Sequence, residues 1–172
     1  HLRYRGGRVS HGFQVGIGTL ACTALMEVVF DRNAGDLPKE ASLPSWAEQK
    51  RRIEEIFGDH GGVDRILEEY ERKYLDPDRH RERLATIRRR WAQTADRVRG
   101  RLLPYTELKS KLKAAGCPVT PGEIGLDAQR VVSTFVPAGL IRNRYTILDL
   151  AFETGLLEEA CETILASDLY LS

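Results

Sequence analysis

The segment SHGFQVGIGTLACTALMEVVF, residues 10–30, decides how this chain folds. Ser10 is a favourable N-cap residue, and the pattern after it predicts a helix from about His11 to Phe30. A helix that is apolar on every side is usually buried in the middle of its domain. We therefore expect this helix to form the core, because apolar residues fall all round it, among them Phe13, Val15, Ile17, Leu20, Leu25, Val28 and Val29.

Helix signals continue outward from this segment along the rest of the chain. Asp76-Pro77 is typical of the start of a helix, with proline at its first position. The helix it opens should bury one stripe, formed at three- and four-residue steps by Leu84, Ile87, Trp91, Ala95, Val98 and Leu102. Capping boxes are predicted at Ser45–Glu48 and Thr120–Glu123, and Thr146 is expected to cap a helix that Gly155 closes.

No segment shows the alternation of a strand with turn signals on both sides, and Val131 to Val136 is the one ambiguous run. A helix is instead expected around Asp127 to Phe135. The sequence therefore predicts an all-α protein of about eight helices. Its length suits a single helical domain over residues 1–172.

Composition excludes several classes of partner. Lys and Arg number 26 against 25 Asp and Glu, and this balance predicts no general attraction to nucleic acid or anionic membranes. We expect no membrane span, because no apolar run approaches the ~20 residues that one needs. Three widely spaced cysteines and no secretory signal favour a reducing, cytoplasmic location. The chain starts at His1 and its only methionine is Met26, so we expect further protein upstream.

The candidate site lies in Ser10-His11-Gly12-Phe13-Gln14-Val15-Gly16-Ile17-Gly18. This string places a histidine in the first turn of the predicted buried helix. Each glycine inside a helix costs ~1 kcal/mol against alanine, and close approach of a ligand or another backbone is the usual reason to keep it. The glycine order does not match the dinucleotide fingerprint. Taken alone, His11 would more often be a core or capping histidine.

The same string resembles the second metal-histidine motif of the dehydroquinate synthase and iron-containing alcohol dehydrogenase superfamily, and most of all its glycerol-1-phosphate dehydrogenase branch. Two later stretches carry the same resemblance. They are residues 116–125, with Gly116-Cys117-Pro118 and Thr120-Pro121-Gly122-Glu123-Ile124-Gly125, and residues 141–149, Ile141-Arg142-Asn143-Arg144-Tyr145-Thr146-Ile147-Leu148-Asp149.

The resemblance implies a two-domain enzyme of which this chain is the helical, metal-binding C-terminal half. An N-terminal Rossmann-like domain outside the chain would bind NAD or NADP. The family binds its divalent metal (zinc, nickel or iron) through one Asp and two His, and only the second His maps here, onto His11. His1 lies too close to His11 for the family pattern. Gly12 and Gly16 would let cofactor or substrate approach.

The implied activity interconverts dihydroxyacetone phosphate and sn-glycerol 1-phosphate, or a related polyol phosphate. His11 would be catalytic through the metal, and the chain alone would be inactive. Arg142 and Arg144 are candidates for the substrate phosphate, or else they cap a helix or pair with surface acids. A homo-oligomer is left open. The alternatives are a dehydroquinate synthase-like lyase domain and a non-catalytic helical interaction module that kept the fold.

Three further side chains receive plainer interpretations. His60 and His80 stand in polar surroundings and are expected to be exposed. Tyr145 is expected to pack beside the helix that Thr146 caps, without acting as an acid.

Overall fold

The computed structural model of the protein describes residues 9–39 and 43–172, apart from the side chain of His60. These residues are all-helical, as predicted, and contain no strand. Short 3₁₀ helices cover Gly58–His60 and Pro121–Ile124. The α-helices of the described part are α1 His11–Phe30, α2 Trp46–Phe57, α3 Val63–Glu71, α4 Pro77–Arg99, α5 Tyr105–Ala114, α6 Ala128–Val132, α7 Phe135–Leu140, α8 Ile147–Glu153 and α9 Leu157–Ala166.

The helices α1, α2, α4 and α8 begin directly after predicted capping residues. Ser10 Oγ accepts a hydrogen bond from the Phe13 backbone N–H at 3.3 Å, and α1 begins at the next residue. The Ser45 box is complete, with its Glu48 partner reaching back to the Ser45 N–H at 2.7 Å. Each such cap satisfies backbone donors that the first helical turn leaves free and is worth ~1 kcal/mol.

Two predicted elements differ in the structure. The Thr120 box is present but opens only the short 3₁₀ helix, which ends at Gly125 with φ of 71°. The predicted helix around residues 127–135 is divided into α6 and α7, because the chain turns at Ser133, whose hydroxyl donates to the Arg130 carbonyl at 2.8 Å. Serine competes for backbone acceptors in this way and so weakens a helix interior.

The described residues form two compact units. Unit 1 contains residues 9–31, 95–133 and 158–172, and unit 2 contains residues 32–39, 43–94 and 134–157. In unit 1, α1 packs against α5, α6 and the second 3₁₀ helix. In unit 2, α2 packs against α3, and α7 against α8. The expectation of one helical domain over residues 1–172 stays a prediction.

The buried part of α1 is shorter than predicted. From Gly16 to Phe30 most residues are buried, but His11 to Val15 are exposed. The core prediction is therefore right for the last three-quarters of the helix and wrong for its first turns. The apolar character of a helix does not tell which stretch of it the rest of the chain will cover.

Within unit 1, a carboxylate near the buried end of α1 binds the last described residues. Glu27 accepts one hydrogen bond from the Tyr105 backbone N–H at 2.6 Å and one from the Tyr170 hydroxyl at 2.9 Å. Tyr105 is fully buried, and its own hydroxyl accepts from the Leu171 N–H at 2.8 Å. These bonds attach the segment after α9 to α1 and α5.

One described helix, α1, reaches the length and apolar composition of a membrane span. The expectation that no apolar run approaches this length is thus corrected. The finding is weak evidence for a membrane, since core helices of soluble proteins share these properties and much of α1 is buried within unit 1. The described residues therefore contain no clear membrane span.

Candidate functional site

His11 stands in the exposed first turn of α1. It makes no hydrogen bond or ion pair to any described residue, so it is neither a packed core histidine nor a capping one. Phe13 and Val15 on the following turn are also exposed, at 38% and 51%. The ring nitrogens of His11 are therefore free for a ligand that the described residues do not supply.

Gly12, Gly16 and Gly18, the three glycines after His11, have open space where a side chain would lie. A Cβ built on Gly16 or Gly18 meets no heavy atom within 4 Å, and on Gly12 it meets only Ser10 Oγ at 3.7 Å. The described residues thus give no packing reason for glycine at these positions. Each costs ~1 kcal/mol inside a helix, and the usual reason to keep such a glycine is the close approach of a ligand or another backbone.

Arg142 and Arg144 lie together in the loop between α7 and α8. Both are exposed, and they line a surface groove of about 480 Å³ with Glu69 and Asn143. Neither arginine has a hydrogen bond or ion pair within the described part of the chain. They do not cap α8, whose cap is Thr146. These two residues belong to unit 2, whereas His11 belongs to unit 1.

A buried ion pair, absent from the sequence interpretation, lies within unit 2. Lys73 Nζ contacts Asp149 Oδ1 at 2.5 Å, with about 10% of each side chain exposed. Lys73 also donates to the Gly139 carbonyl at 2.5 Å, and Asp149 Oδ2 accepts from the Thr146 N–H at 2.8 Å. The pair therefore joins the segment after α3 to both α7 and the start of α8.

A second cluster of polar side chains surrounds Glu153, which is buried at the end of α8. Its carboxylate accepts from Arg83 Nη1 at 3.0 Å and from the Tyr145 hydroxyl at 2.9 Å. His80 is 1% exposed, and its Nε2 lies 2.9 Å from the Glu153 carbonyl oxygen. The expectation that His80 is exposed was wrong. His80 stands four residues before Leu84, so it extends the apolar stripe of α4 by one turn. This spacing is the feature of the sequence that predicts its burial.

Tyr145 is 47% exposed and is tied to Glu153 by its hydroxyl, with Arg83 5.3 Å from the centre of its ring. The side chain of His60 and the whole of His1 lie outside the described residues.

Burial raises the pKa values of both Glu153 and Tyr145. It raises the pKa of the Glu153 carboxyl above its ordinary 4.5, although the Tyr145 hydroxyl and the Arg83 guanidinium oppose the change. Burial and the adjacent Glu153 carboxylate also raise the pKa of the Tyr145 phenol, which stays protonated and donates.

We expect Glu153→Gln to change how stability depends on pH. A carboxyl whose pKa is raised on folding stabilises the native state below its unfolded pKa and loses that contribution as pH rises. Relative to the wild type, the variant should therefore gain stability as pH rises from about 4.5. Urea unfolding at a series of pH values measures the difference.

Glu123→Gln is the matched control with the opposite sign. Backbone N–H groups of Val119 and Thr120 lower the pKa of the Glu123 carboxyl. This variant should be less stable than wild type at neutral pH, and the two should converge as pH falls below about 4.5. If the Glu153→Gln curve ran parallel to the wild type across the range, the proposed effect of burial would be wrong.

The described residues do not complete a metal site. No group of three His, Cys, Asp or Glu side chains in that part of the chain could hold a metal ion together. His11 offers a single imidazole, and one ligand cannot fix the geometry of a three-ligand site. Any metal bound at His11 needs donors from elsewhere.

Comparison with known proteins adds no identification. No protein-family model, no curated protein and no solved structure matches the chain.

Proposed function

We propose that the chain is the helical domain of a metal-dependent NAD(P) oxidoreductase similar to glycerol-1-phosphate dehydrogenases. The substrate would be dihydroxyacetone phosphate, sn-glycerol 1-phosphate or a related polyol. The supporting observation is His11, which is exposed and has no partner among the described residues, beside glycines with open space where a side chain would lie.

His11, Gly12 and Gly16 each have one role in the proposed enzyme. His11 contributes one ring nitrogen to a divalent metal, with an Asp and another His supplied by upstream residues. The bound metal supplies Lewis-acid chemistry that polarises the substrate oxygen and favours hydride transfer to or from nicotinamide. Gly12 is exposed, and Gly16 is buried but has open space where a side chain would lie, so cofactor or substrate could come close to the backbone at both.

Arg142 and Arg144 are the proposed phosphate-binding residues. Guanidinium groups match the geometry of phosphate oxygens. Both side chains line one groove, and neither has a hydrogen bond or ion pair to a described residue. Glu69, which lines the same groove, contacts Arg72 at 3.3 Å, so its negative charge is already balanced.

The test is a coupled assay of the protein together with its upstream residues. Dihydroxyacetone phosphate is supplied with NADH or NADPH, after removal of metal and its return as zinc, nickel or iron. We expect substrate-dependent oxidation of the nicotinamide that disappears with the chelator and returns with one of the metals. No turnover with any metal or either cofactor would contradict the proposal.

A second candidate is a non-catalytic interaction module, and the exposed Phe13 and Val15 favour it. Apolar side chains on the first turns of α1 would suit a protein partner as well as a cofactor domain. The two functions differ at His11, because a metal-binding enzyme needs its imidazole and an apolar interface does not.

We expect Gly16→Ala to separate stability from function. In this chain, alanine fills open space within a helix, so the free energy of unfolding should rise by ~1 kcal/mol. In the complete enzyme, the added methyl should raise KM for cofactor or substrate, since it occupies the proposed approach. Thermal unfolding and initial-rate kinetics measure the two effects.

Gly18→Ala serves as the control, since it lies on the same helix with the same open space but has no proposed ligand role. It should stabilise the chain by a similar amount and leave KM unchanged. Equal kinetic effects of both variants, or none at Gly16, would remove Gly16 from the proposed site.

A further inference from the structure

Gln49 is a buried amide whose hydrogen bonding is incomplete. It lies in α2 with 1% of its surface exposed, and its Nε2 donates to the Tyr70 hydroxyl at 2.6 Å. Its Oε1 is buried and has no hydrogen-bond partner among the described residues. Leaving a buried carbonyl unsatisfied is unfavourable enough that native proteins rarely do so.

Turning the amide over does not remove the problem. The Tyr70 hydroxyl would then donate to Gln49 Oε1, and the buried Nε2 would lose its acceptor. Either orientation leaves one end of the amide in need of a partner, so the requirement belongs to the site and not to the orientation of the side chain.

The neighbouring charged side chain cannot serve as that partner. Lys73 already donates to Asp149 and to the Gly139 carbonyl, and its ammonium lies 5.2 Å from the centre of the Tyr70 ring. Two of its three N–H donors are thus engaged, and none reaches Gln49 Oε1. No described residue supplies the missing donor, whereas a small molecule held in the site would do so.

A small cavity lies beside the amide, bordered by Gln49, Tyr70, Lys73 and Asp149. Its volume is about 20 Å³. One water molecule needs about 10–15 Å³ by this kind of measure, so the cavity accommodates one water but no organic ligand.

We propose that this cavity is a binding site for one ordered water molecule, which donates to Gln49 Oε1 and accepts the Tyr70 hydroxyl proton. Burial raises the pKa of the Tyr70 phenol, so its proton is present to donate at neutral pH. An ammonium ion fits the cavity less well, because it cannot accept that proton and the Lys73 ammonium borders the same space. The water would complete the hydrogen bonding between Gln49 in α2 and Tyr70 in α3.

The test is a water-selective NOE and ROE experiment on the ¹⁵N-labelled chain. A long-lived buried water gives the Gln49 side-chain NH₂ an NOE and an ROE of opposite sign, whereas fast-exchanging hydration water gives the two effects the same sign. Gln93, which is exposed, is the internal control and should show only the weak signal of fast-exchanging water.

Tyr70→Phe excludes the main artefact. The Tyr70 hydroxyl proton exchanges with solvent and lies close enough to Gln49 Nε2 to relay a false signal. A cross-peak that persists in a folded Tyr70→Phe variant supports the bound water. If the cross-peak is lost, water ¹⁷O relaxation dispersion should show fewer long-lived waters in the variant than in the wild type, because the Tyr70 hydroxyl is one of the partners of the water. No such difference, or no cross-peak in the wild type, would overturn the proposal.

Discussion

Replacing His11 by alanine is expected to lower turnover of the complete enzyme by about a thousandfold or more, while the melting temperature hardly changes. A metal ligand contributes several kcal/mol to the transition state, and each 1.36 kcal/mol is a factor of ten in rate. The fold should tolerate the change because His11 is exposed and has no partner among the described residues. Paired measurements of turnover per folded molecule, melting temperature and metal content test the prediction.

Thr19→Ala is a suitable control for that experiment. Thr19 lies on the same helix, is exposed, and donates only to the Val15 carbonyl at 2.8 Å. Its replacement should leave both turnover and metal content unchanged. A His11→Ala enzyme that keeps its metal and its rate would rule out His11 as a ligand and favour the interaction module.

Asp149→Ala should destabilise unit 2 by about 3–5 kcal/mol, because it leaves the Lys73 ammonium buried without its counter-charge. The same change removes the carboxylate that accepts from Thr146 at the start of α8. The result should appear as a lower midpoint in urea unfolding. Most of the loss comes from the uncompensated charge, since a helix cap alone contributes ~1 kcal/mol.

Two further variants define that effect. Glu55→Ala breaks the exposed Arg51–Glu55 pair, whose atoms lie 3.5 Å apart, and should cost no more than ~1 kcal/mol. Adding Lys73→Met to Asp149→Ala removes the buried charge and should restore part of the lost stability. If Asp149→Ala behaved like Glu55→Ala, the buried pair would not be the strong contact described above.

Local features of the chain were predictable from the sequence. Ser10, Ser45 and Thr146 begin helices because their side chains satisfy first-turn N–H groups within a few residues. Gly155 ends α8 with φ of 71°, a conformation that glycine adopts readily. Such interactions depend only on near neighbours in the chain, so a sequence pattern contains them in full.

Pairings across the fold were not predictable. Lys73 and Asp149 stand 76 positions apart, and neither shows in its own segment that it will be buried with the other. The Gln49–Tyr70 contact and the packing of His80 likewise depend on how helix surfaces meet. For the candidate site, sequence reasoning placed His11 in the first helical turn correctly but could not tell that this turn would be exposed.

The Glu27–Tyr170 hydrogen bond has a consequence for how the protein is made. Its partners are separated by 143 positions, so a ribosome adding roughly 5–20 residues per second needs on the order of 10 s between them. During that interval, the apolar sides of α1 lack the segment that completes unit 1. Yields of soluble protein should therefore improve with chaperone co-expression or a cooler culture, which favour productive folding of such nascent chains over their aggregation.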